Sequence, residues 1–171
     1  MKLLVTTSLL AAAALLSGCA SQGPALVLDP VGPAPAPPGA PGSSGTLMVF
    51  SAFRQGADFN GPPYRRPYTD YKILSPTGKL LQWVRNDSGA LMAAPKHVEL
   101  PVGTYRVVAR ANGYGEVTVP VVVRPNQVTT VHLEGSPSWP NHEQLAASNP
   151  VRLPDGEIAG WRAGADNSST P

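Results

Sequence analysis

The chain contains only one cysteine, Cys19, among its 171 residues. A single cysteine excludes an internal disulfide, so packing and hydrogen bonds alone must hold the fold together. Charge is also scarce: charged residues make up 14% of the chain and the formal net charge is +2. Nucleic-acid binding normally needs a dense basic face, so this balance predicts no nucleic-acid partner. After residue 18 no apolar run is long enough to span a bilayer.

Groupings of residues that perform chemistry are missing as well. The three histidines, His97, His132 and His142, do not have the spacing of a metal site, and no second cysteine exists. The acidic residues are scattered, without the close pair that glycoside hydrolysis requires. Residues 86–89 lack the later acidic ligand of a calcium loop and are predicted to be a plain turn. We therefore predict no catalytic residues, no metal and no cofactor, with each histidine a surface or edge-strand polar residue.

The start of the chain has the pattern of an export signal. Lys2 is followed by a mostly apolar run from Leu3 to Leu16, and two small residues then precede Cys19. A charged start, a short apolar stretch and small residues are typical of a secretory signal peptide, here residues 1–18. The alternative interpretation is a secreted protein with an incidental cysteine.

The segment Leu16-Ser17-Gly18-Cys19 resembles the lipobox of bacterial lipoproteins. The resemblance implies transfer of a diacylglyceryl group to the thiol of Cys19, cleavage before this residue and acylation of the new amine. Acylation would also remove a free thiol from an oxidising compartment. Because residue 20 is Ala rather than Asp, the resemblance implies an outer-membrane anchor that faces the periplasm if the cell is Gram-negative. A membrane is thus the first predicted partner.

Residues 19–45 are predicted to be the lipidated cysteine and a linker. Between Gln22 and Gly45 there are seven prolines and five glycines. Such a segment samples polyproline II and acts as a semi-rigid spacer, with a reach of at most about 70 Å. The alternative is that it serves as a ligand for a proline-reading domain.

From Thr46 the apolar residues alternate with a period of two, as in half-buried strands. Frequent turn residues separate these stretches, which predicts an all-β domain at 46–135, an antiparallel seven-stranded β-sandwich. The predicted strands are 46–53, 70–74, 79–85, 96–100, 105–111, 117–123 and 128–133. Pro120 has no backbone N–H, so its strand is expected to lie at a sheet edge or to carry a bulge.

A second resemblance lies within this domain. The segment 98–107, Val-Glu-Leu-Pro-Val-Gly-Thr-Tyr-Arg-Val, followed by Ala-Asn-Gly-Tyr at 111–114, resembles carboxypeptidase regulatory-like and PEGA-type domains. The resemblance implies a prealbumin-like sandwich that has no catalytic residues of its own and serves as an accessory module in envelope proteins. In physical terms, Gly103 is expected to supply a positive φ. Tyr105 is expected to bury its ring while its hydroxyl reaches a backbone partner.

Residues 136–171 form a C-terminal extension that is predicted to be partly disordered. Within it, residues 151–162 predict a small hairpin around Pro154-Asp155-Gly156, and Trp139 and Trp161 would then cover the sandwich. The alternative is a disordered tail that docks on a partner. Asp166 to Pro171 is expected to be disordered.

One loop, residues 59–71, is a candidate ligand-binding site. It contains three tyrosines and two arginines close together, namely Tyr64, Arg65, Arg66, Tyr68 and Tyr71. Aromatic faces with arginine donors suit sugars or anionic groups. The alternative is that the tyrosines cap the open end of the sandwich. Exposed aromatic residues would favour sugar binding, and buried tyrosines would favour the structural role.

Together these patterns predict a non-enzymatic, lipid-anchored protein of the cell envelope, whose β-sandwich serves as a structural or protein-interaction module. One alternative is a carbohydrate- or peptidoglycan-binding module that uses the loop at 59–71, and another is a small hydrolase or its accessory subunit. Its partners would be the membrane and either another envelope protein or a glycan.

Overall fold

The computed structural model describes residues 25–34, 42–54, 68–86, 94–135 and 150–164. In these ranges the helices and strands are all β-strands, with no helix. The predicted all-β class is therefore confirmed, and these residues contain no helix that could cross a membrane. The strands are β1 (Leu26–Val27), β2 (Val31–Gly32), β3 (Ser44–Phe50), β4 (Tyr71–Leu74), β5 (Leu80–Val84), β6 (His97–Pro101), β7 (Gly103–Ala111), β8 (Gly115–Val123), β9 (Val128–His132), β10 (Val151–Arg152) and β11 (Ile158–Arg162).

The strands form two sheets. The large sheet has the order β10-β11-β2-β8-β7-β4-β5, with β1 also paired to β8, and the small sheet has the order β6-β3-β9. Both sheets are mixed, because β1 and β2 run parallel to β8, and β9 runs parallel to β3. The structure thus differs from the predicted seven-stranded antiparallel sandwich in strand number and in these pairings. Period-two alternation indicates which residues face inward, but it does not determine which strand becomes the neighbour.

The β7–β8 hairpin is the longest pairing among the described strands. It runs in register from Gly103, opposite Val123, to Ala111, opposite Gly115. Its turn is the predicted tight turn at Asn112-Gly113, and Gly113 has a φ of +80°, which a residue with a side chain adopts at a cost. The inward side of β8 consists of four valines, each at most 1% exposed: Val117, Val119, Val121 and Val123. These valines belong to one core cluster that includes side chains of both sheets.

Residues 25–34 are part of this fold, although their composition assigns them to the spacer. Leu26 pairs with Val117 on β8, and Val31 pairs with Val121. Leu28 and Val31 are buried in the core. The apolar residues of this short stretch find an open edge on β8, and their burial outweighs the extended-linker tendency of the surrounding prolines. The predicted spacer therefore does not continue through residues 25–34.

Pro120 lies in an internal strand, because β8 has β7 on one side and β1 and β2 on the other. The carbonyl of Thr118 accepts a hydrogen bond from Leu28 N–H at 2.9 Å, so the backbone groups of Thr118 point toward β1. Backbone groups two residues apart point in the same direction, so Pro120 faces the same side. The register shifts by one residue between the pairs Val27–Thr118 and Val31–Val121. The missing N–H thus lies opposite a bulge in the neighbouring segment, not at a sheet edge.

The C-terminal hairpin also joins the large sheet. Strands β10 and β11 pair around the predicted turn, and β11 pairs with β2 through Trp161, opposite Gly32. Trp161 is 7% exposed, so it is buried within the fold, as its predicted covering role requires. Trp139 and residues 166–171 lie outside the described residues.

Tyr105 has the structural role that its sequence context predicts. Its ring is half-buried against the core cluster, and its hydroxyl donates to the carbonyl of Pro101 at 2.8 Å. Gly103 lies under the ring and has a φ of +158°. The bond fastens the start of β7 to the end of β6, so it joins the two sheets.

We predict that Gly160→Ala destabilises the protein by about 1–3 kcal/mol, because a Cβ on Gly160 would lie 2.5 Å from Cγ1 of Val31 and 3.0 Å from the carbonyl oxygen of Thr130. Gly164→Ala is the matched control, since its nearest neighbour is 4.0 Å away. Urea unfolding of both variants measures the difference. Equal stabilities would contradict the docking of β11 on the core.

Two tyrosine variants should behave oppositely. Tyr105→Phe removes a hydrogen bond and should cost about 1 kcal/mol of unfolding free energy. The buried hydroxyl of Tyr71 has no hydrogen-bond partner among the described residues, so Tyr71→Phe should be neutral or stabilising. Burial also raises the pKa of Tyr71 above its ordinary value. Because folding favours the neutral hydroxyl, this contribution to the free energy of unfolding is fully present below about pH 10 and is lost as the pH rises further. Above about pH 10 the free energy of unfolding of Tyr71→Phe should therefore fall less with pH than that of the wild type.

Candidate functional site

The predicted ligand-binding loop is only partly within the described residues. Tyr64, Arg65 and Arg66 lie outside them, as does Cys19. The two tyrosines that the structure does describe face inward: Tyr68 is 7% and Tyr71 1% exposed. Neither presents an aromatic face to a sugar, so both are removed from the candidate ligand-binding set. Their burial matches the alternative in which they cap the end of the sandwich.

Tyr68 belongs to an aromatic stack at that end. Its ring contacts Phe50 edge to face, with centroids 5.7 Å apart, and lies against Phe53 at 5.1 Å. Phe50 in turn stacks on the ring of His132 at 4.3 Å. Burial, with a smaller contribution from the nearby charge of Glu134, raises the pKa of Tyr68. The stack is a packed layer, so its rings serve the core.

His132 and Glu134 form a buried pair that the sequence analysis misses. Nδ1 of His132 lies 2.7 Å from Oε1 of Glu134, and both residues are 7% exposed. Because a carboxylate only accepts hydrogen bonds, Nδ1 carries the proton when Glu134 is ionised. His132 lies in β9, an edge strand of the small sheet, as predicted, and it is buried there. His97 is exposed at the start of β6, as predicted, and His142 lies outside the described residues.

Asn86 is the centre of a hydrogen-bond network with Val49, Ser51 and Lys96, which we call the polar end. It is fully buried, and its amide nitrogen donates to the carbonyl of Val49 at 2.7 Å and to Oγ of Ser51 at 3.0 Å. Its amide oxygen accepts from the N–H of Lys96 at 2.9 Å. Ser51 Oγ itself donates to the carbonyl of Thr69 at 2.6 Å. The hydroxyl proton of Ser51 is therefore held by a carbonyl rather than by a base, which does not suit a nucleophile.

A shallow cavity of about 230 Å³ opens beside this network, lined by Ala52, Phe53, Arg110 and the β7–β8 turn. No group of three histidine, cysteine or acidic side chains capable of holding a metal ion occurs in the part of the chain that the structure describes. The hydrogen bonds of the polar end connect strand ends to one another, so their effect is to fix the ends of β3, β5 and β6.

A different surface, the solvent side of the large sheet, has the character of a contact site. We call it the outer face. It consists of two neighbouring rows across the strands, defined by the cross-strand pairs. The first row is Val27, Thr118, Val108, Lys72 and Trp83, and the second is Pro120, Arg106, Leu74 and Leu80.

The outer face is unusually apolar for a solvent-facing side. Antiparallel sheets that face water usually alternate apolar residues inside with polar residues outside. Here six of the nine side chains are apolar, and three of them are more than half exposed: Val27 at 62%, Trp83 at 58% and Leu80 at 52%. Single exposed apolar residues are ordinary, but a contiguous set marks an interaction surface.

A bulge in the edge strand β5 creates much of this surface. Leu80 pairs with Leu74 and Trp83 pairs with Lys72, although regular alternation would place residues 80 and 83 on opposite faces. The register shift between these pairs inserts one extra residue, so both Leu80 and Trp83 point outward. Leu81, the neighbouring residue, is 50% exposed. Sequence alternation alone does not reveal a bulge, so the sequence does not predict this face.

The charge of the outer face is positive. Its two charged side chains are Lys72 and Arg106, and neither row contains an acidic residue. Nζ of Lys72 lies 5.5 Å from the centre of the Trp83 ring and 3.7 Å from a carboxylate oxygen of Glu116, which is beside the rows. Two further exposed cations, Lys79 and Arg85, flank β5. Aromatic, aliphatic and basic side chains thus share one exposed side of the sheet.

We predict that Asn86→Ala lowers the unfolding free energy by about 2–4 kcal/mol, because it leaves several buried backbone and side-chain groups without partners. The matched control is Asn112→Ala, which alters an exposed turn residue and should cost less than about 1 kcal/mol. Chemical denaturation monitored by circular dichroism measures both. Similar losses in the two variants would show that the amide of Asn86 does not hold these strand ends together.

The comparisons with known proteins do not add a relative to this picture. No family model, curated protein or solved structure matches the chain.

Proposed function

We propose that this protein is a non-enzymatic, lipid-anchored protein of the cell envelope, and that its β domain is a structural or protein-interaction module. The support for the anchor is the resemblance of residues 16–19 to a lipobox, after a segment with the pattern of a signal peptide. Each buried methylene contributes about 0.8 kcal/mol, so two or three acyl chains on Cys19 would hold the protein firmly at a bilayer. The outer membrane is the proposed location if the cell is Gram-negative.

The outer face is the observation that best supports a contact function. It is exposed, largely apolar and continuous over five strands of the large sheet. Exposed Trp83 and Leu80 lower the solubility of the protein, and a second surface that covers the face removes this exposure. The buried groups at the polar end, in contrast, serve the fold.

A prealbumin-like sandwich of the carboxypeptidase regulatory-like or PEGA type is the fold family that we propose. Its support is the motif at 98–107, together with the bond from the Tyr105 hydroxyl to Pro101. The strands at both termini and the parallel pairing of β9 with β3 would be additions to, or departures from, that pattern.

The glycan-binding alternative has lost two of its five residues, because Tyr68 and Tyr71 are buried. It now depends on Tyr64, Arg65 and Arg66. A glycan array that gives a signal abolished by Arg65→Ala with Arg66→Ala would favour this alternative over the contact function.

Replacing the anchor residue tests the proposed location. Cys19→Ser should move the protein from the membrane fraction to the soluble fraction or leave it unprocessed, because the thiol accepts the lipid. Ser21→Ala is the matched control and should remain in the membrane fraction. Mass spectrometry of the wild-type N-terminus should show a cleaved, acylated Cys19. An unmodified Met1 in the wild-type protein, or firm membrane binding of a Cys19→Ser variant whose residues 1–18 have been cleaved, would contradict the proposal.

A further inference from the structure

The pairing of β1 with β8 leaves little chain between the proposed anchor and the folded domain. Leu26 is already part of the large sheet, and only residues 20–25 separate it from Cys19. Seven peptide units span at most about 25 Å when fully extended. A lipid on Cys19 would therefore hold the domain against the bilayer, rather than at the end of a long spacer.

The tether enters the domain at one end of the outer face. Val27, the second residue of β1, is 62% exposed and begins the row that ends at Trp83. Five strands at a spacing of about 4.8 Å place these two side chains about 19 Å apart. Since this width is smaller than the reach of the tether, the whole row can approach the same membrane that holds the lipid.

The chemistry of the outer face matches that of a bilayer surface. Trp is favoured at the boundary between headgroups and acyl chains, because its ring is apolar and its N–H is polar. Trp83 and Leu80 would enter this boundary, and Val27 would do so at the opposite end of the face. Lys72 and Arg106 stand among these apolar residues, and long basic side chains direct their charges toward headgroup phosphates.

Charge also argues against a second copy of this chain as the occupant. β5 is flanked by Lys79 and Arg85, and it contains no acidic residue. Two such strands that met edge to edge would bring like charges together, and two outer faces that met would carry an excess of positive charge even with Glu116 beside each. An anionic lipid surface complements these charges instead.

We propose that the outer face lies on the bilayer to which the protein is anchored, with Trp83 and Leu80 in the interface and Lys72 and Arg106 on anionic headgroups. This inference rests on the proposed lipid anchor and specifies what the contact surface of the domain meets. The small sheet, on the other side of the core, then faces away from the membrane.

The test uses the full chain, processed by the cell, purified from membranes and reconstituted into vesicles. One set of vesicles contains phosphatidylcholine and the other adds phosphatidylglycerol, and both contain lipids brominated on the acyl chain. We expect tryptophan fluorescence to be quenched roughly twofold more strongly in the anionic vesicles. All variants carry Trp139→Phe, so that only Trp83 and Trp161 remain as tryptophans. In this background Trp83→Phe should remove most of the quenching, because Trp161 is buried in the domain.

Charge removal provides the second arm. The double variant Lys72→Gln with Arg106→Gln, which lowers the net charge by two, should reduce quenching in anionic vesicles to the level seen with phosphatidylcholine. Lys96→Glu is the matched control, because Lys96 is exposed just before β6 and outside the outer face, and it should behave as wild type. Circular dichroism of each variant verifies that the fold is retained.

Three results would overturn the inference. The first is equal quenching with and without Trp83→Phe in the Trp139→Phe background, in protein whose lipid is confirmed by mass spectrometry. This result would leave the anchor supported and would contradict the contact of the outer face with the bilayer. The second is identical quenching in both vesicle types. The third is protection of Trp83 from aqueous iodide only after envelope proteins are added, which would assign the face to a protein partner. A protein without lipid by mass would contradict the anchor itself.

Discussion

Strand β8 has a hydrogen-bonded partner on both sides, and the rest of the architecture depends on this arrangement. On one side it forms the long hairpin with β7, and on the other it accepts the short strands β1 and β2. Its valines fill the middle of the core while its backbone groups find partners within the large sheet. Without β1 and β2, one edge of an apolar strand would be open, and the C-terminal hairpin would lose the strand on which it docks.

Much of this fold follows from residue patterns, but its pairings do not. The alternation at Tyr105–Ala111 and Val117–Val123, with Asn112-Gly113 between, is enough to predict the central hairpin. Residues 25–34 are different, because their prolines and glycines predict a linker. The segments around Leu26 and Val31 form strands because the edge of β8 is available to pair with them. That edge is a property of the tertiary structure, and a local pattern contains no record of it.

The candidate site shows the same limit. Tyrosines and arginines in a loop suggest a binding surface, yet Tyr68 and Tyr71 pack inward because the ends of the sheets need large side chains to close them. Asn86 and His132 are polar, which predicts exposure, but each finds partners inside the molecule. The outer face depends on the bulge at Leu81, and a bulge exists only relative to the strand beside it.

The parallel pairing of β1 and β2 with β8 has a mechanical consequence. A tension applied through residue 25 would pull these two strands along their own axis, while β8 is held by β7 on its other side. Bonds between strands lie across this axis, so the pull would load them together in shear instead of opening them one at a time. Because β11 is hydrogen-bonded to β2 on the opposite side, the C-terminal hairpin shares that load. A segment that enters the sheet in this way resists being pulled out of it.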